Sequence, residues 1–249
     1  MTKAIRGVIF DLGGTLVDFH SGAADWRGME ARGSAALQRF LIERGFALPE
    51  AEFREAMWNA MNHGWEEAMA GRANARLLDI IVSTTAHLGV DLHGEAQMQA
   101  ARAYAAGVGS EAIPLEGAHE MLRALKRRGL RLGLLSNTTW PGQFHREAMQ
   151  DAGLFEFLDE TVFSSDVGLW KPNTPAFRYS VERLGISPAE AVFVGDLPEV
   201  DVAGAQRAGL RAVWVATDGI ELGDVRPDAV VHRLAELPAV LDRLQESSC

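Results

Sequence analysis

An aspartate followed closely by two glycines and a threonine is the first group in this sequence that could do chemistry. Asp11 comes directly after the apolar residues 8–10, which are typical of a buried β-strand, and Gly13, Gly14 and Thr15 follow it. The glycines let the backbone turn its amides toward an anion, and Thr15 adds a hydroxyl to the same loop. The pattern predicts a carboxylate at the carboxyl end of a strand, where open parallel sheets bind ligands.

Three later segments carry polar residues in comparable positions. Ser136 and Asn137 follow the apolar residues 132–135, Lys171 lies just ahead of a segment that starts a helix, and Asp196 follows the apolar residues 192–194, with Asp201 in the next helical turn. Singly, each has an ordinary structural explanation as a helix cap, a solvated lysine, a turn former or a carboxylate favoured by a helix dipole. Their order along the chain favours one shared site.

The elements that must position these residues form two groups. Residues 23–107 have apolar positions at helical spacing and no convincing strand, whereas from residue 115 onward strands alternate with helices. Such alternation produces a parallel sheet with both faces covered. We therefore expect an α/β core domain formed by residues 1–18 and 110–249, with residues 19–109 inserted as a helical cap domain.

Composition narrows the class of protein. A chain of 249 residues with 47% hydrophobic content can bury a substantial core, and a net charge of −10 argues against binding to nucleic acid or to an anionic membrane. Cys249 is the only cysteine and no apolar run approaches the length of a membrane span, so we expect a cytoplasmic protein without disulfides, either a monomer or a homodimer.

In its motifs the sequence resembles the haloacid dehalogenase-like hydrolase superfamily. The first motif corresponds to residues 11–15, the second to Ser136, the third to Lys171, and the fourth to Gly195 and Asp196 through Asp201, and the helical insert lies where this superfamily carries its cap. The resemblance implies a Rossmann-like core in which an aspartate attacks a phosphoryl group with Mg²⁺ as cofactor.

The residue types are suited to that scheme. Asp11 would form an aspartyl-phosphate, and Mg²⁺ would be held by Asp11, Asp196 and the backbone carbonyl of Gly13. Lys171 would supply a second positive charge, and Ser136 would bind the remaining phosphate oxygens. Amides of the loop at Asn137 and of the turn at Gly13 and Gly14 would bind the substrate together with Ser136. Thr15 and Asp201 would support the site, and Asp201 more plausibly orients Lys171 or a metal-bound water than binds the metal directly.

One position departs from the superfamily pattern. Its phosphatases usually carry a second aspartate two residues after the nucleophile as general acid and base, and here that residue is Gly13. General acid–base catalysis typically contributes about 10²–10⁴-fold, so we expect slow turnover of alkyl phosphates and a smaller loss for good leaving groups. Asp18 or His20 are the nearest possible substitutes, although both are more typical of a hinge toward the cap.

Two segments of the cap are candidates for substrate-selecting loops. Residues 62–65 and 71–74 fall between the predicted helices, and Arg72 is the side chain that we expect to contact substrate. A surface arginine on a helix connection is an equally good interpretation of the same residue.

The sequence favours a Mg²⁺-dependent phosphatase of small phosphorylated metabolites and leaves rivals open. A 2-haloacid dehalogenase would use Asp11 against carbon, but it has no use for Asp196 and usually carries an aromatic residue in the first motif, which is absent here. The segment at residues 11–15 is also similar to a phosphate-binding loop of actin-like sugar kinases. Those kinases consist of two duplicated halves, which this sequence does not show. A non-catalytic phospho-ligand-binding protein is the third alternative, because Gly13 replaces the acid.

Overall fold

A six-stranded parallel sheet forms the centre of the molecule. The structure is a computed structural model that describes residues 4–19, 26–109 and 111–246, with only the backbone of residue 26. The strands are β1 (Gly7–Phe10), β4 (Arg131–Ser136), β5 (Glu160–Phe163), β6 (Ala191–Gly195), β7 (Arg211–Val215) and β8 (Ala229–Val231). Their order in the sheet is β5-β4-β1-β6-β7-β8 and every pairing is parallel.

Helices cover both faces of the sheet, as its apolar strands require. The helices of this part are α5 (Ala118–Arg127), α6 (Gly142–Asp151), α7 (Ser164–Val167), α8 (Thr174–Arg183), α9 (Ala203–Arg207) and α10 (Leu237–Glu246). Alternate residues of β1 face opposite sides: Val8 and Phe10 pack in one core with α5 and α10, and Ile9 packs in the other with α8 and α9. Both faces of the sheet are therefore buried, which is typical of parallel sheets.

The inserted segment is helical throughout residues 26–108 apart from its connections. Its helices are α1 (Trp26–Glu43), α2 (Glu50–Met69), α3 (Leu77–His87) and α4 (Glu95–Val108). They share an apolar core of their own, which includes Leu37, Phe53, Ile81 and Tyr104, and Phe144 of α6 joins it from the sheet side. The predicted fold class, a Rossmann-like α/β core with a helical cap, is confirmed.

Two short antiparallel strands, which the sequence pattern did not predict, pair where the chain leaves the sheet for the inserted helices and where it returns. Strand β2 (Val17–Asp18) pairs with β3 (Ile113–Pro114), and Leu115 donates its N–H to the Leu16 carbonyl. Asp18 lies in this pair, whereas His20 and Cys249 lie outside the described residues. The exact domain boundaries at residues 18, 19, 109 and 110 stay a prediction.

Among the residues that the structure describes, no helix is both long enough and apolar enough to cross a bilayer.

Candidate active site

The carboxyl ends of β1, β4 and β6 bring the sequence-predicted polar residues to one edge of the sheet. Asp11 follows β1 and its N–H donates to the Val194 carbonyl at 2.9 Å, which continues the pairing of β1 with β6 by one residue. Ser136 ends β4, and Asp196 follows β6 directly. Parallel pairing in register forces these chain positions, which are far apart in sequence, into one group.

Lys171 is buried between two carboxylates. Its Nζ donates to Oδ1 of Asp11 at 2.6 Å and to Oδ1 of Asp201 at 2.7 Å, and its side chain is only 2% exposed. Burial by itself lowers the pKa of Lys171, but the two carboxylates outweigh it and raise this pKa to about 12. Lys171 is therefore a fixed positive charge, and its ammonium group keeps one of its three N–H donors for another acceptor.

Asp201 holds both Lys171 and the backbone after β6. Its Oδ1 accepts from Lys171, and its Oδ2 accepts the N–H of Leu197 at 3.0 Å. Gly195 makes this approach possible, since a Cβ at that position would lie 2.5 Å from the Asp201 carboxylate. With both oxygens occupied, Asp201 acts on the site through the position of Lys171.

Asp196 faces Asp11 across the first loop. The Thr15 hydroxyl donates to Asp196 Oδ1 at 3.4 Å, and Trp214 Nε1 donates to the Asp196 carbonyl at 2.8 Å. One carboxylate oxygen each from Asp11, Asp196 and Asp201 lies within 4.8 Å of the others.

The pKa values of these carboxyl groups report uncompensated negative charge. Burial raises the pKa of Asp11 from 3.8 to about 6, against the opposing effect of Lys171. Burial, together with the charges of Asp11 and Asp201, raises the pKa of Asp196 from 3.8 to about 7. Both groups resist ionisation mainly because they are buried, and the neighbouring carboxylates add to this effect. A bound cation would relieve both causes.

The two loop glycines have different roles. Gly14 has φ +75, and a Cβ there would lie 2.4 Å from Asp196 Oδ2, so only glycine fits. Its N–H donates to the Val17 carbonyl at 2.9 Å and closes the turn, so the expectation that this amide faces substrate is not met. Gly13 lines the cavity beside Asp11, and a Cβ at Gly13 would meet the Phe19 ring at 3.5 Å.

Asn137 is committed to the loop that carries Lys171. Its Nδ2 donates to the Lys171 carbonyl at 2.8 Å, and its Oδ1 accepts the Lys171 N–H at 2.9 Å. Its Nδ2 also lies 3.3 Å from the sulfur of Met69 on α2. The side chain thus fixes the backbone of Lys171. Asn137 also lines the cavity, where the sequence motif predicts a substrate contact.

The structure does not bring Arg72 to the site. Its guanidinium pairs with Glu67 at 2.7 Å, its side chain is 61% exposed, and it is absent from the described cavity lining. Residues 62–65 are not a loop, because α2 runs through them as far as Met69. Gly64 does not interrupt the helix. A Cβ at this position would lie 3.4 Å from Ala75 and from Ile80, so the position is packed.

A cavity of about 320 Å³ lies over Asp11, between the sheet edge and the inserted helices. Asp11, Ser136 and Lys171 line it from the sheet side. The aromatic residues that line it are Phe19, Trp65, Tyr104 and Trp140, and Glu30 of α1 lines it as well. Of these five, only Trp65 belongs to a segment, residues 62–65, that the sequence pattern suggested as substrate-selecting. No local pattern distinguishes the other four from ordinary core or loop positions.

His145 completes the aromatic wall. Its ring stacks between Trp140, with centroids 5.6 Å apart, and Phe163, with centroids 5.2 Å apart, and its Nε2 lies 2.8 Å from the Thr138 hydroxyl. That hydroxyl also accepts the Trp140 N–H at 3.0 Å. Burial lowers the pKa of His145 from 6.5 to about 4, so the ring is neutral at pH 7.

Comparison with known proteins assigns the family. The family model described as haloacid dehalogenase-like hydrolase matches residues 5–209. The chain belongs to this family. A phosphoserine phosphatase of Thermus thermophilus is 38% identical over 119 residues, but the match covers only 44% of this chain and 47% of the relative.

Two further proteins match nearly the whole length of this chain. A glyceraldehyde 3-phosphate phosphatase of Methanopyrus kandleri is 28% identical over 245 residues, which is 96% of this chain and 98% of that one. The crystal structure of a 2-haloacid dehalogenase from Pseudomonas syringae pv. tomato superposes with a TM-score of 0.71 at 25% identity, and it covers 96% of this chain and 99% of the other. Similarity alone therefore leads to phosphatases and dehalogenases alike, and the side chains of the site must discriminate between the two chemistries.

Proposed function

We propose that this hydrolase is a Mg²⁺-dependent phosphatase of small phosphorylated metabolites, with Asp11 as the nucleophile. The observation that supports this best is the charge of the buried cluster. Three carboxylates, Asp11, Asp196 and Asp201, face one ammonium, Lys171, which leaves a formal charge of −2 when all are ionised. A divalent cation with oxygen ligands compensates that charge.

The donor set fits magnesium. Asp11 and Asp196 contribute two carboxylates that directly follow the adjacent strands β1 and β6. We propose these two groups and the carbonyl of Gly13 as the protein ligands, since hard oxygen donors suit Mg²⁺. When bound, Mg²⁺ supplies charge neutralisation to the phosphoryl group and to the developing negative charge.

The chain's own residues account for the other requirements of phosphoryl transfer. Lys171 holds Oδ1 of Asp11 at 2.6 Å, which fixes the carboxylate and leaves its second oxygen to attack phosphorus. The remaining donor of Lys171 and the Ser136 hydroxyl are the groups that we assign to the phosphoryl oxygens. Attack forms a bond between a carboxylate oxygen of Asp11 and phosphorus and breaks the phosphorus–oxygen bond of the ester, whose departing oxygen takes a proton from solvent. Water then attacks the aspartyl-phosphate, which releases phosphate and restores Asp11.

Gly13 shapes the rate that we expect. No side chain at this position delivers a proton to the leaving group, and the Phe19 ring occupies the adjacent space. Phosphates with good leaving groups should therefore be hydrolysed faster than alkyl phosphates, by roughly the 10²–10⁴-fold that general acid catalysis contributes.

Dehalogenation is the second candidate, because the named neighbours include a 2-haloacid dehalogenase. Two features of the described residues disfavour it. Asp196 adds a buried carboxylate that attack on carbon does not need, and Lys171, already engaged by two carboxylates, is the only lysine or arginine among the described residues that line the cavity. A substrate carboxylate would therefore enter a cavity that lacks a spare cation.

A phosphoester panel assayed with Mg²⁺ and with EDTA tests the proposal. We expect Mg²⁺-dependent hydrolysis of p-nitrophenyl phosphate, complete loss of it in Asp11→Asn, and no change in Asp218→Asn, a matched substitution of an exposed aspartate. Chloride release from 2-chloropropionate, lost in the same Asp11 variant, would instead assign a dehalogenase. Hydrolysis that persists in Asp11→Asn would mean that the nucleophile is misassigned.

A further inference from the structure

Glu30 is a buried carboxyl group that the proposed chemistry does not use. It lies on α1, lines the cavity over Asp11 and is 2% exposed. Its Oε1 accepts from the Ser34 hydroxyl at 3.0 Å, and its Oε2 accepts from the Tyr104 hydroxyl. Both partners are neutral, and within the described parts of the chain no lysine or arginine pairs with Glu30. A buried carboxylate without a cation is costly unless something positive reaches it.

Close packing of α1 against α4 holds Glu30 in this position. Helix α1 approaches α4 closely because Gly33 lacks a side chain, and a Cβ at this position would lie 2.7 Å from Val108 and 2.8 Å from the Tyr104 ring. Gly107 on α4 is equally restricted, with Ala36 at 2.4 Å. This contact sets the Tyr104 hydroxyl against Glu30, and burial raises the pKa of both groups.

Aromatic rings surround the same space. Phe19, Trp65, Tyr104 and Trp140 line the cavity together with Glu30, and Tyr104 meets Trp140 edge to face with centroids 6.2 Å apart. The faces of such rings attract cations, most strongly when water is excluded. Aromatic walls with one carboxylate form the kind of site that binds alkylated ammonium groups.

We infer that the alcohol part of the substrate carries a substituted ammonium group, which Glu30 and the aromatic rings bind while the phosphoryl group lies at Asp11. This specificity rests on the proposed phosphatase activity. It disfavours substrates with a carboxylate on the alcohol part, because Glu30 repels them and Lys171 is already paired. Glu30 is a specificity residue here and takes no part in bond breaking.

Two esters that differ by one charge test the inference. Phosphocholine and neohexyl phosphate have the same shape, with a carbon in place of the nitrogen in the second. For each, kcat/KM is measured in the wild type, in Glu30→Gln and in Glu43→Gln, which changes an exposed glutamate on the same helix. The ratio between the esters contains their intrinsic difference in reactivity, and this difference is the same in every variant.

We expect the phosphocholine to neohexyl phosphate ratio to fall at least about tenfold in Glu30→Gln, as loss of a desolvated cation contact predicts, and to stay constant in Glu43→Gln. Hydrolysis of p-nitrophenyl phosphate should stay within about threefold of the wild type in Glu43→Gln. In Glu30→Gln, measurable Asp11-dependent hydrolysis of this ester, at whatever rate, shows that the site remains assembled. A ratio that stays within twofold in Glu30→Gln would overturn the inference.

A binding measurement separates this inference from the proposed activity. Tetramethylammonium is titrated calorimetrically into the wild type and the Glu30→Gln variant, and no turnover is needed. Binding to the wild type that weakens about tenfold or more in the variant supports the cation site even if no phosphoester is hydrolysed. Absence of tetramethylammonium binding to the wild type rules the site out, whereas absence of p-nitrophenyl phosphate hydrolysis counts against the phosphatase alone.

Discussion

Replacing Asp196 with asparagine should stabilise the metal-free protein at high pH and abolish its stabilisation by Mg²⁺. The pKa of Asp196 is raised from 3.8 to about 7, so the folded protein holds this proton more tightly than the unfolded chain does. The resulting stabilisation is fully present below pH 3.8 and is lost as the pH rises through about 7. This dependence is opposite to that of an ordinary salt-bridged aspartate.

The size of this stability effect follows from the difference between the pKa of Asp196 in the folded protein and in the unfolded chain. A pKa change from 3.8 to about 7 corresponds to about 4 kcal/mol of folding free energy. In a chain of this size 1 kcal/mol moves Tm by about 2–4 °C, so the metal-free wild type should melt about 10 °C lower at pH 8 than Asp196→Asn does, relative to their difference at acid pH. Bound Mg²⁺ at about 100 times its Kd adds about 2.7 kcal/mol to the wild type and nothing to the variant.

Thermal melts followed by circular dichroism, from about pH 4 to pH 9 with EDTA or with Mg²⁺, measure this effect. Subtracting the variant's Tm from that of the wild type cancels other titrating groups, such as His145, whose depressed pKa removes stability as the pH falls from 6.5 through about 4. Asp218→Asn is the matched surface control and should follow the wild type. A difference that does not change with pH in EDTA would refute the charge deficit from which the metal site is inferred.

Two substitutions in the first loop give further predictions. Gly14→Ala should lose Mg²⁺-dependent stabilisation, because its Cβ would displace Asp196, whereas Gly45→Ala, also at positive φ but with open space around it, should cost only about 1–2 kcal/mol in a denaturant titration. Gly13→Asp should raise kcat for alkyl phosphates on the order of 10²-fold only when combined with Phe19→Ala, which clears the adjacent space. An equal gain in the single variant would show that Phe19 does not obstruct that position.

The arrangement of the sheet was largely readable from the sequence. Apolar runs that end in polar residues predicted β1, β4 and β6, and parallel pairing then required Asp11, Ser136 and Asp196 to meet at one edge, since the hydrogen-bond ladder leaves no other place for successive carboxyl ends. The β2–β3 pair was missed because two-residue strands have no readable period.

Which side chains cover that edge of the sheet depends on tertiary packing alone. Helical spacing identified which positions of α1 and α4 are apolar, but the contact of Glu30 with Tyr104, 74 residues away, depends on how closely Gly33 lets the two helices approach. In the same way, the sequence makes Arg72 a reasonable substrate contact. In the structure, however, Arg72 pairs with Glu67 and lies at the surface. Sequence patterns fix which elements form because those depend on local periodicity, whereas the surroundings of a side chain depend on distances between elements, which no local pattern encodes.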